Sequence, residues 1–290
     1  LMQMLSSGAM GGGVSSAVSR AIGAGDERRA TTLAMHALAI GATAGLSFSL
    51  LFLVAGRGIF WLLGGRGDVL EQAMVYARVA LSAAVLVWMV NTLASIMRGT
   101  GNMKVPSFSL LLASLIQILV GGALGLGLGP IPRLGLMGVA LGVVAGFSVA
   151  AVVLLWFLTT GRARITLRFA QVTLQREMFL DILKVGAMAC LSPLQTVLTV
   201  LIVTRLVAAY GTEALAGFGI GARLEFLLIP IAFAVGVSCV PMVGMAIGAG
   251  NVDRARRVAW TGATLSGVAL GVLGLTVALV PGVWVGFFTS

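Results

Sequence analysis

The sequence predicts an all-α integral membrane protein, a multi-span helical bundle built from two parallel six-helix repeats. The chain is 59% hydrophobic and only 10% charged, whereas soluble domains contain about 25% charged residues. Apolar runs of about 20 residues, enough to cross about 30 Å of hydrocarbon, recur along nearly the whole chain. Two near copies of one loop, AIGAGDERRA and AIGAGNVDRA, begin at Ala21 and Ala246.

Eight apolar segments are predicted to cross the membrane. They cover residues 1–22, 31–55, 76–97, 106–128, 135–159, 182–208, 214–247 and 257–288. The seventh segment contains Pro230 and Pro241, so we expect a kink or a break there, which a membrane tolerates only against protein or a water-filled cavity. Because the chain starts at Leu1 inside an apolar run, we expect its start to be a truncation.

Basic residues are concentrated in alternate loops of the predicted bundle. These residues are Arg20, Arg28, Arg29, Arg98, Lys104, Arg162, Arg164, Arg168, Arg176, Lys184, Arg254, Arg256 and Arg257. The positive-inside rule makes their loops cytoplasmic, so we expect a multi-pass protein of the inner cell membrane. The net charge of +10 then reflects membrane topology. No nucleic-acid partner is predicted, because the sequence offers no basic face with exposed aromatic side chains between the basic ones.

The repeated loop resembles a phosphate-binding glycine loop but lacks the required context. A dinucleotide loop follows a strand and has a third glycine at a fixed place, and neither feature is present. The glycine before Asp26 can instead end one helix in the left-handed conformation, and Asp26 can cap the next helix. We therefore predict structural connectors and no cofactor, with anion binding as the alternative for these loops. The connector residues of the two copies are Gly23, Gly25, Asp26, Gly248, Gly250 and Asn251.

The distance between the two copies predicts how the halves of the protein are related. One repeat unit is about 225 residues long and contains six predicted spans, an even number, so both loops lie on the same side of the membrane. The halves are then parallel repeats, which are typical of transporters. The expected parent has twelve spans, of which this chain would lack one at its start and about three at its end.

Five sequence motifs lie in order along the chain. They are GAGDERRA at 23–30, EQAMVYARV at 71–79, IMRGTGNMKVP at 96–106, YGTEALAGFGIGARLEFLLIP at 210–230 and VPMVGMAIGAGNVDRARRVAW at 240–260. Together they resemble the multidrug and toxic compound extrusion (MATE) family of secondary transporters. The resemblance implies that the chain covers the second to the ninth of twelve helices. It also implies two lobes that alternate between outward-open and inward-open states and export organic, often cationic compounds in exchange for H⁺ or Na⁺.

The resemblance further implies a division of the chain and a set of partners. The N-terminal lobe would cover 1–159 without its first helix, a cytoplasmic linker 160–181, and a partial C-terminal lobe 182–290. Small organic substrates and membrane lipids are the expected partners, and a monomer is the expected state. Gln117 and Gly121 occupy positions in the fifth helix where family members often carry Asn and Asp, so the coupling ion, H⁺ or Na⁺, stays open.

Glu225 is the strongest candidate for ion coupling. It lies about 11 residues, or ~16 Å, from the outer end of its predicted span, close to the middle of the hydrocarbon core. An acidic side chain at that depth is energetically costly and seldom accidental. Arg223 is the nearest charged residue along the chain. An equally open alternative is that these residues form a structural ion pair or a tie between the lobes.

Polar side chains inside other predicted spans are candidates for lining a substrate cavity. They are Ser192, Gln195 and Thr196 beside Pro193, and the isolated amides Asn91 and Gln117. The alternative for each of them is a hydrogen bond to a neighbouring helix. Arg98 and Gly101 follow a predicted span at its cytoplasmic end, and we expect them to serve as a connector.

Two other functions are weighed against an exporter. A flippase for lipid-linked precursors would need a cationic central cavity for a pyrophosphate group, and in the sequence only Arg223 is clearly at depth. A membrane-embedded enzyme acting on lipids would need His, Asp or Glu side chains clustered at one membrane face. The chain has one histidine and nine acidic residues, and these are scattered. The sequence therefore favours a transporter over an enzyme.

Overall fold

The computed structural model describes residues 2–62, 64–130, 132–167, 174–286 and 288. Within these residues every regular element is a helix. The chain begins with a π-helical segment, Met4–Met10, that continues directly into α1. The helices are α1 (Gly11–Gly23), α2 (Glu27–Leu62), α3 (Gly67–Ser82), α4 (Ala84–Gly99), α5 (Lys104–Leu126), α6 (Leu136–Thr159), α7 (Arg176–Ala208), α8 (Thr212–Gly248), α9 (Val252–Leu279) and α10 (Pro281–Gly286).

Six of these helices are long and apolar enough to cross a membrane individually, namely α2, α5, α6, α7, α8 and α9. The pair α3 and α4, which is bent by 47° at the break between the two helices, is a seventh candidate when it is counted as one span. The first predicted span corresponds to the π-helical segment and α1. The small residues of this helix include Gly11 and Gly13, which approach α4 and α7 closely.

The structure differs from the third predicted span in two ways: the helix begins earlier, and it is interrupted. Helix formation begins at Gly67 rather than at residue 76, and it is interrupted at Ala83, where φ is −86° and ψ is 13°. The hydroxyl group of Ser49 on α2 donates to the carbonyl oxygens of Leu81 and Ser82 at 3.0 and 3.1 Å. A side chain that binds carbonyl oxygens in this way disrupts the helical hydrogen-bond ladder and bends the helix.

The seventh and eighth predicted spans also differ from the structure. Helix α8 continues without interruption through Pro230 and Pro241, so the expected break is not found there. The eighth span is instead divided, because α9 ends at Leu279 and Pro281 begins the short helix α10. Proline fits the first position of a helix, where no backbone donor is needed.

Helix α7 begins at Arg176, inside the predicted linker 160–181, because a buried histidine caps it. The backbone N–H of Gln175 donates to Nε2 of His36 at 2.8 Å. The other ring nitrogen, Nδ1, lies 2.8 Å from the carbonyl oxygen of Thr32. These partners assign a neutral ring that carries its proton on Nδ1. The His36 ring also packs edge-on against the ring of Phe179, with 4.7 Å between the ring centres, and this contact joins α2 to α7. Arg168 of the linker lies outside the described residues.

Candidate functional site

The two copies of the repeated loop lie at the same end of the bundle and contact each other. A Cβ atom added at Gly23 would overlap the carbonyl group of Met245, and one added at Gly248 would overlap the carbonyl group of Arg20. Met245 follows Arg20 by the same repeat offset that separates Gly248 from Gly23. The two contacts are therefore equivalent, as expected for a self-complementary surface around a two-fold axis.

A third contact lies on that axis. Gly244 is the repeat equivalent of Ser19, and a Cβ atom added at Gly244 would overlap the Ser19 hydroxyl group. Helix α1 thus presents Ser19 and Gly23, and α8 presents Gly244 and Gly248. Two small residues four positions apart let membrane helices approach closely. We call these six residues, Ser19, Arg20, Gly23, Gly244, Met245 and Gly248, the repeat contact.

Both repeated loops have the geometry of helix connectors. Gly25 and Gly250 are left-handed, with φ of 77° and 72°. The side-chain oxygens of Asp26 and Asn251 each accept the backbone N–H three residues further on, at 2.8 and 2.9 Å. Gly101, with φ of 88°, ends α4 in the same left-handed way. Side-chain caps of this kind satisfy backbone donors at the start of a helix.

An ion-paired cluster joins α7 to α1 and α2 beside the repeat contact. One carboxylate oxygen of Asp181 lies 2.5 Å from the guanidinium group of Arg20 on α1. The other lies 3.2 Å from the guanidinium group of Arg29 on α2. We call these three residues the Asp181 latch. The sequence does not predict it, because Asp181 is distant from both arginines along the chain.

Replacing Asp181 by asparagine should loosen this end of the bundle. The exchange keeps the size of the side chain but removes the charge shared by two arginines. Allowing for partial exposure, we expect a loss of about 1 kcal/mol, or about fivefold in the local opening equilibrium. Maleimide labelling of Cys239, in a Cys190→Ser background, should accelerate accordingly. Glu71→Gln, which removes an exposed ion pair with Arg57 at 3.2 Å, is the control, and equal rates in both variants would disprove the latch.

A small cavity lies on the same axis, farther along α1 and α8. It has a volume of ≈ 190 Å³. Its lining consists of Gly8, Gly11, Gly12 and Ser15, their repeat equivalents Phe233, Gly236, Val237 and Val240, and in addition Ser7 and Arg98. We call it the inter-repeat cavity. Because equivalent residues of both repeats line it, a bound molecule would contact both lobes at once.

Two larger cavities are lined by other combinations of helices. One of ≈ 740 Å³ is enclosed by α1, α7, α8 and α9 and includes Arg20 and Cys239 in its wall. The other, of ≈ 660 Å³, lies among α3, α5 and α6 within the N-terminal lobe and is lined by Gln117 and Gly121 with Gln72 and Arg133. We call the second one the N-lobe cavity. Of the predicted cavity residues, Gln117 therefore lies in a cavity.

The other predicted cavity residues lie elsewhere. Asn91 is fully buried and donates to the hydroxyl group of Ser6 at 2.8 Å, so it holds α4 against the π-helical segment. Ser192, Gln195 and Thr196 are exposed on α7, where the Thr196 hydroxyl group donates to the carbonyl oxygen of Ser192 at 3.0 Å. None of these four residues lines a cavity named above. The predicted set is therefore spread over three places rather than assembled into one.

The two predicted coupling residues have different surroundings. Arg223 lies over the ring of Phe288, with 4.8 Å between the guanidinium carbon and the ring centre. Glu225 is exposed on α8 and has neither an ion pair nor a hydrogen bond among the residues that the structure describes. A mutual ion pair between Arg223 and Glu225 is thus not found in this part of the chain.

Arg98 differs from its predicted role as a connector residue. Its backbone does enter the connector, but its side chain is only 9% exposed and lines the inter-repeat cavity. Nε donates to the carbonyl oxygen of Ala94 at 3.2 Å, and one terminal nitrogen donates to the hydroxyl group of Ser95 at 3.2 Å. The sequence could not indicate this, because an arginine at a helix end normally extends towards water.

The fold and its axial contact define a polytopic membrane protein of transporter architecture, made of two parallel helical repeats. The chain belongs to the MatE family, whose family model matches residues 1–121 and 187–290. This is a family of transporters, so the protein is a multi-pass membrane protein and not an enzyme.

Curated relatives include the probable multidrug resistance protein YoeA of Bacillus subtilis, 24% identical over 269 residues that cover 91% of this chain and 58% of the relative. A FAD transporter of Shewanella oneidensis is 26% identical over 251 residues, covering 86% and 55%. The probable multidrug resistance protein NorM of Thermotoga maritima is 25% identical over 278 residues, covering 96% and 60%. The chain thus spans less than two thirds of the length of these relatives.

Solved structures share the fold. An outward-facing multidrug resistance MATE family transporter of the MOP superfamily matches with a TM-score of 0.88 at 23% identity, covering 100% of this chain and 64% of that one. A MOP superfamily transporter from Pyrococcus furiosus, described as having a binding pocket of reverse polarity, matches with a TM-score of 0.88 at 24% identity, with the same coverage.

Proposed function

We propose that the protein exports small amphipathic organic compounds in exchange for H⁺ or Na⁺, by alternating access of its two lobes. The repeat contact is the observation that carries this proposal. It closes the cytoplasmic end of the axis with small side chains and backbone, while the inter-repeat cavity stays open farther along. Two helix surfaces that meet through small side chains and backbone can separate without rearranging interlocked long side chains. The contact can therefore form and break repeatedly. Two of the three relatives described above are probable multidrug resistance proteins, and their names support export of drug-like compounds.

Ion coupling is supported by the position of Glu225 on the same helix as the repeat contact. Helix α8 is continuous from Thr212 to Gly248, and Glu225 and Gly244 are about 30 Å apart along it. An acidic side chain in a membrane span is energetically costly and is therefore a candidate for an ion pathway. Because one helix carries both groups, neutralising Glu225 with H⁺ or Na⁺ would bias the helix position at the repeat contact.

The test is efflux of a fluorescent cationic dye from proteoliposomes, with a pH gradient and a Na⁺ gradient imposed separately. We expect one gradient to drive efflux and its dissipation to stop it. A charge that crosses 100 mV releases about 2.3 kcal/mol, enough to support a measurable dye gradient. Dye that fails to move under both gradients would refute the proposal.

A lipid-linked precursor flippase is the second candidate, and the burial of Arg98 in the inter-repeat cavity favours it. That arginine supplies the axis with a cation that the sequence did not place there. Translocation of a labelled lipid-linked precursor, in liposomes where dye does not move, would support the flippase. Arg223 contributes nothing to this cavity, because it packs over Phe288 and does not line it.

A further inference from the structure

We propose that the inter-repeat cavity binds an anionic group, a carboxylate or a phosphate, with Arg98 and Ser15 as its ligands. The inference rests on the proposed transport function in one respect: the anionic group is taken to belong to a transported amphipathic compound. Cations are the usual expectation for substrates here, so the inference adds zwitterionic and anionic compounds to the substrate class.

The direction of the Arg98 side chain is the first step. An arginine in the last turn of a span normally extends outwards so that its charge reaches water. The Arg98 side chain instead runs back along α4, as its hydrogen bond to the Ala94 carbonyl oxygen one turn earlier shows. This orientation places a charged group inside the bundle, where α1 and α8 cover it. A buried charge is unfavourable unless a partner compensates for it.

No such partner is present among the residues that the structure describes. The acidic residues with ion pairs there are Glu27, Glu71 and Asp181, and none of them pairs with Arg98. The two hydrogen bonds of Arg98 go to neutral oxygen atoms, and a guanidinium group has five N–H donors in all. The guanidinium group therefore retains donors and an uncompensated charge at the wall of the cavity.

Ser15 provides an independent observation on α1. It is 5% exposed and lines the same cavity. Its Oγ atom is buried and has no hydrogen-bond partner among the described residues. Buried hydroxyl groups are almost always paired, so an unpaired one on a residue that lines the same cavity as an uncompensated arginine indicates a missing acceptor. An anionic oxygen would accept from both groups, whereas water would satisfy the hydroxyl group and leave the charge uncompensated.

The other residues that line the inter-repeat cavity indicate the chemistry of the rest of the ligand. Phe233, Val237 and Val240 form an apolar wall on α8, and none of the described residues that line the cavity carries a carboxylate. A volume of ≈ 190 Å³ accommodates an anionic group with a short apolar portion. Ser15 lies one helical turn from Ser19 and Val240 one turn from Gly244, so the ligand would be bound directly beside the repeat contact and touch both repeats.

The test measures binding to the purified protein by isothermal titration calorimetry. The probes are benzyl phosphate, phenylacetate and benzyltrimethylammonium, which share an aromatic body and differ in charge. We expect the two anions to bind and the cation to bind at least about tenfold more weakly, because a charge-assisted hydrogen bond is lost. Arg98→Gln should weaken benzyl phosphate binding about tenfold, Arg98→Lys less, and Ser15→Ala by a few-fold. Arg256→Gln, an exposed arginine on α9, should change nothing.

Two results would overturn the proposal: equal affinities for anion and cation in the unmodified protein, or unchanged benzyl phosphate affinity in both Arg98→Lys and Ser15→Ala, which are expected to fold.

Phosphatidylglycerol presents the same chemistry from the membrane. Competition by this lipid, but not by phosphatidylcholine, would assign the anionic group to a lipid headgroup, and a lack of competition would assign it to a soluble compound. Binding needs no gradient, so failure of dye efflux would refute the transport proposal without altering this result.

Discussion

Replacing Gly248 by alanine should prevent the two repeats from closing at the end of the bundle that carries the repeated loops. The added methyl group would overlap the carbonyl oxygen of Arg20, which belongs to the backbone and cannot rotate away. Overpacking of this kind costs about 1–3 kcal/mol, so the population of the closed state should fall by a factor between about 5 and about 150. If alternating access requires closure at this end, gradient-driven efflux should fall by a similar factor.

The distance between the repeats is the direct measurement. Spin labels at exposed positions Arg28 and Arg256 report the separation of the two loops. Gly248→Ala should shift the distance distribution to longer values, and Gly23→Ala should shift it equally, because the two contacts are equivalent. Gly267→Ala on α9 is the matched control, since nothing lies within 4 Å of its added Cβ atom. An unchanged distance distribution in both contact variants would exclude the repeat contact as a gate.

Replacing Glu225 by glutamine should abolish gradient-driven efflux while the protein still inserts and folds. Glutamine keeps the size and the hydrogen-bonding capacity of the side chain, but it cannot release a proton or bind Na⁺ as a carboxylate does. We expect at least about a tenfold loss, because the transition between states would no longer depend on the ion. The measurement is dye efflux at several pH and Na⁺ values in the same proteoliposome assay.

The control for this variant is Glu213→Gln, which removes an exposed acidic residue in the first turn of the same helix. It should retain both efflux and ion dependence. Normal efflux with normal ion dependence in Glu225→Gln would eliminate the coupling role. A loss of thermal stability with unchanged ion dependence would instead identify Glu225 as a structural tie between the lobes.

Connectors could be anticipated from the sequence because they depend on local chemistry. The left-handed glycine at Gly25 and the cap at Asp26 use hydrogen bonds that reach only three residues along the chain. Membrane spans are equally local, since the hydrocarbon core sets both their length and their composition. The bend at Ala83 could not be anticipated, because its cause is Ser49 on another helix.

Side-chain direction was the main property that local reasoning could not supply. Asn91 and Gln117 are both isolated amides in apolar spans, yet the first is buried in a helix contact and the second lines the N-lobe cavity. Arg98 follows the pattern of a cytoplasmic connector but faces inwards. The difference depends on which helix packs against each face, and one residue's sequence neighbours do not contain that information.

The all-α membrane class and the two parallel repeats could be inferred from hydropathy and from the repeated sequence, because the membrane selects apolar spans of a fixed length and similar sequences fold alike. Helix packing was needed to show that the repeats meet through Gly23 and Gly248, that Asp181 pairs with two arginines and that Arg98 and Ser15 line one cavity. These features join residues that are far apart in the chain, and close packing of helices selects them by shape rather than by any local preference.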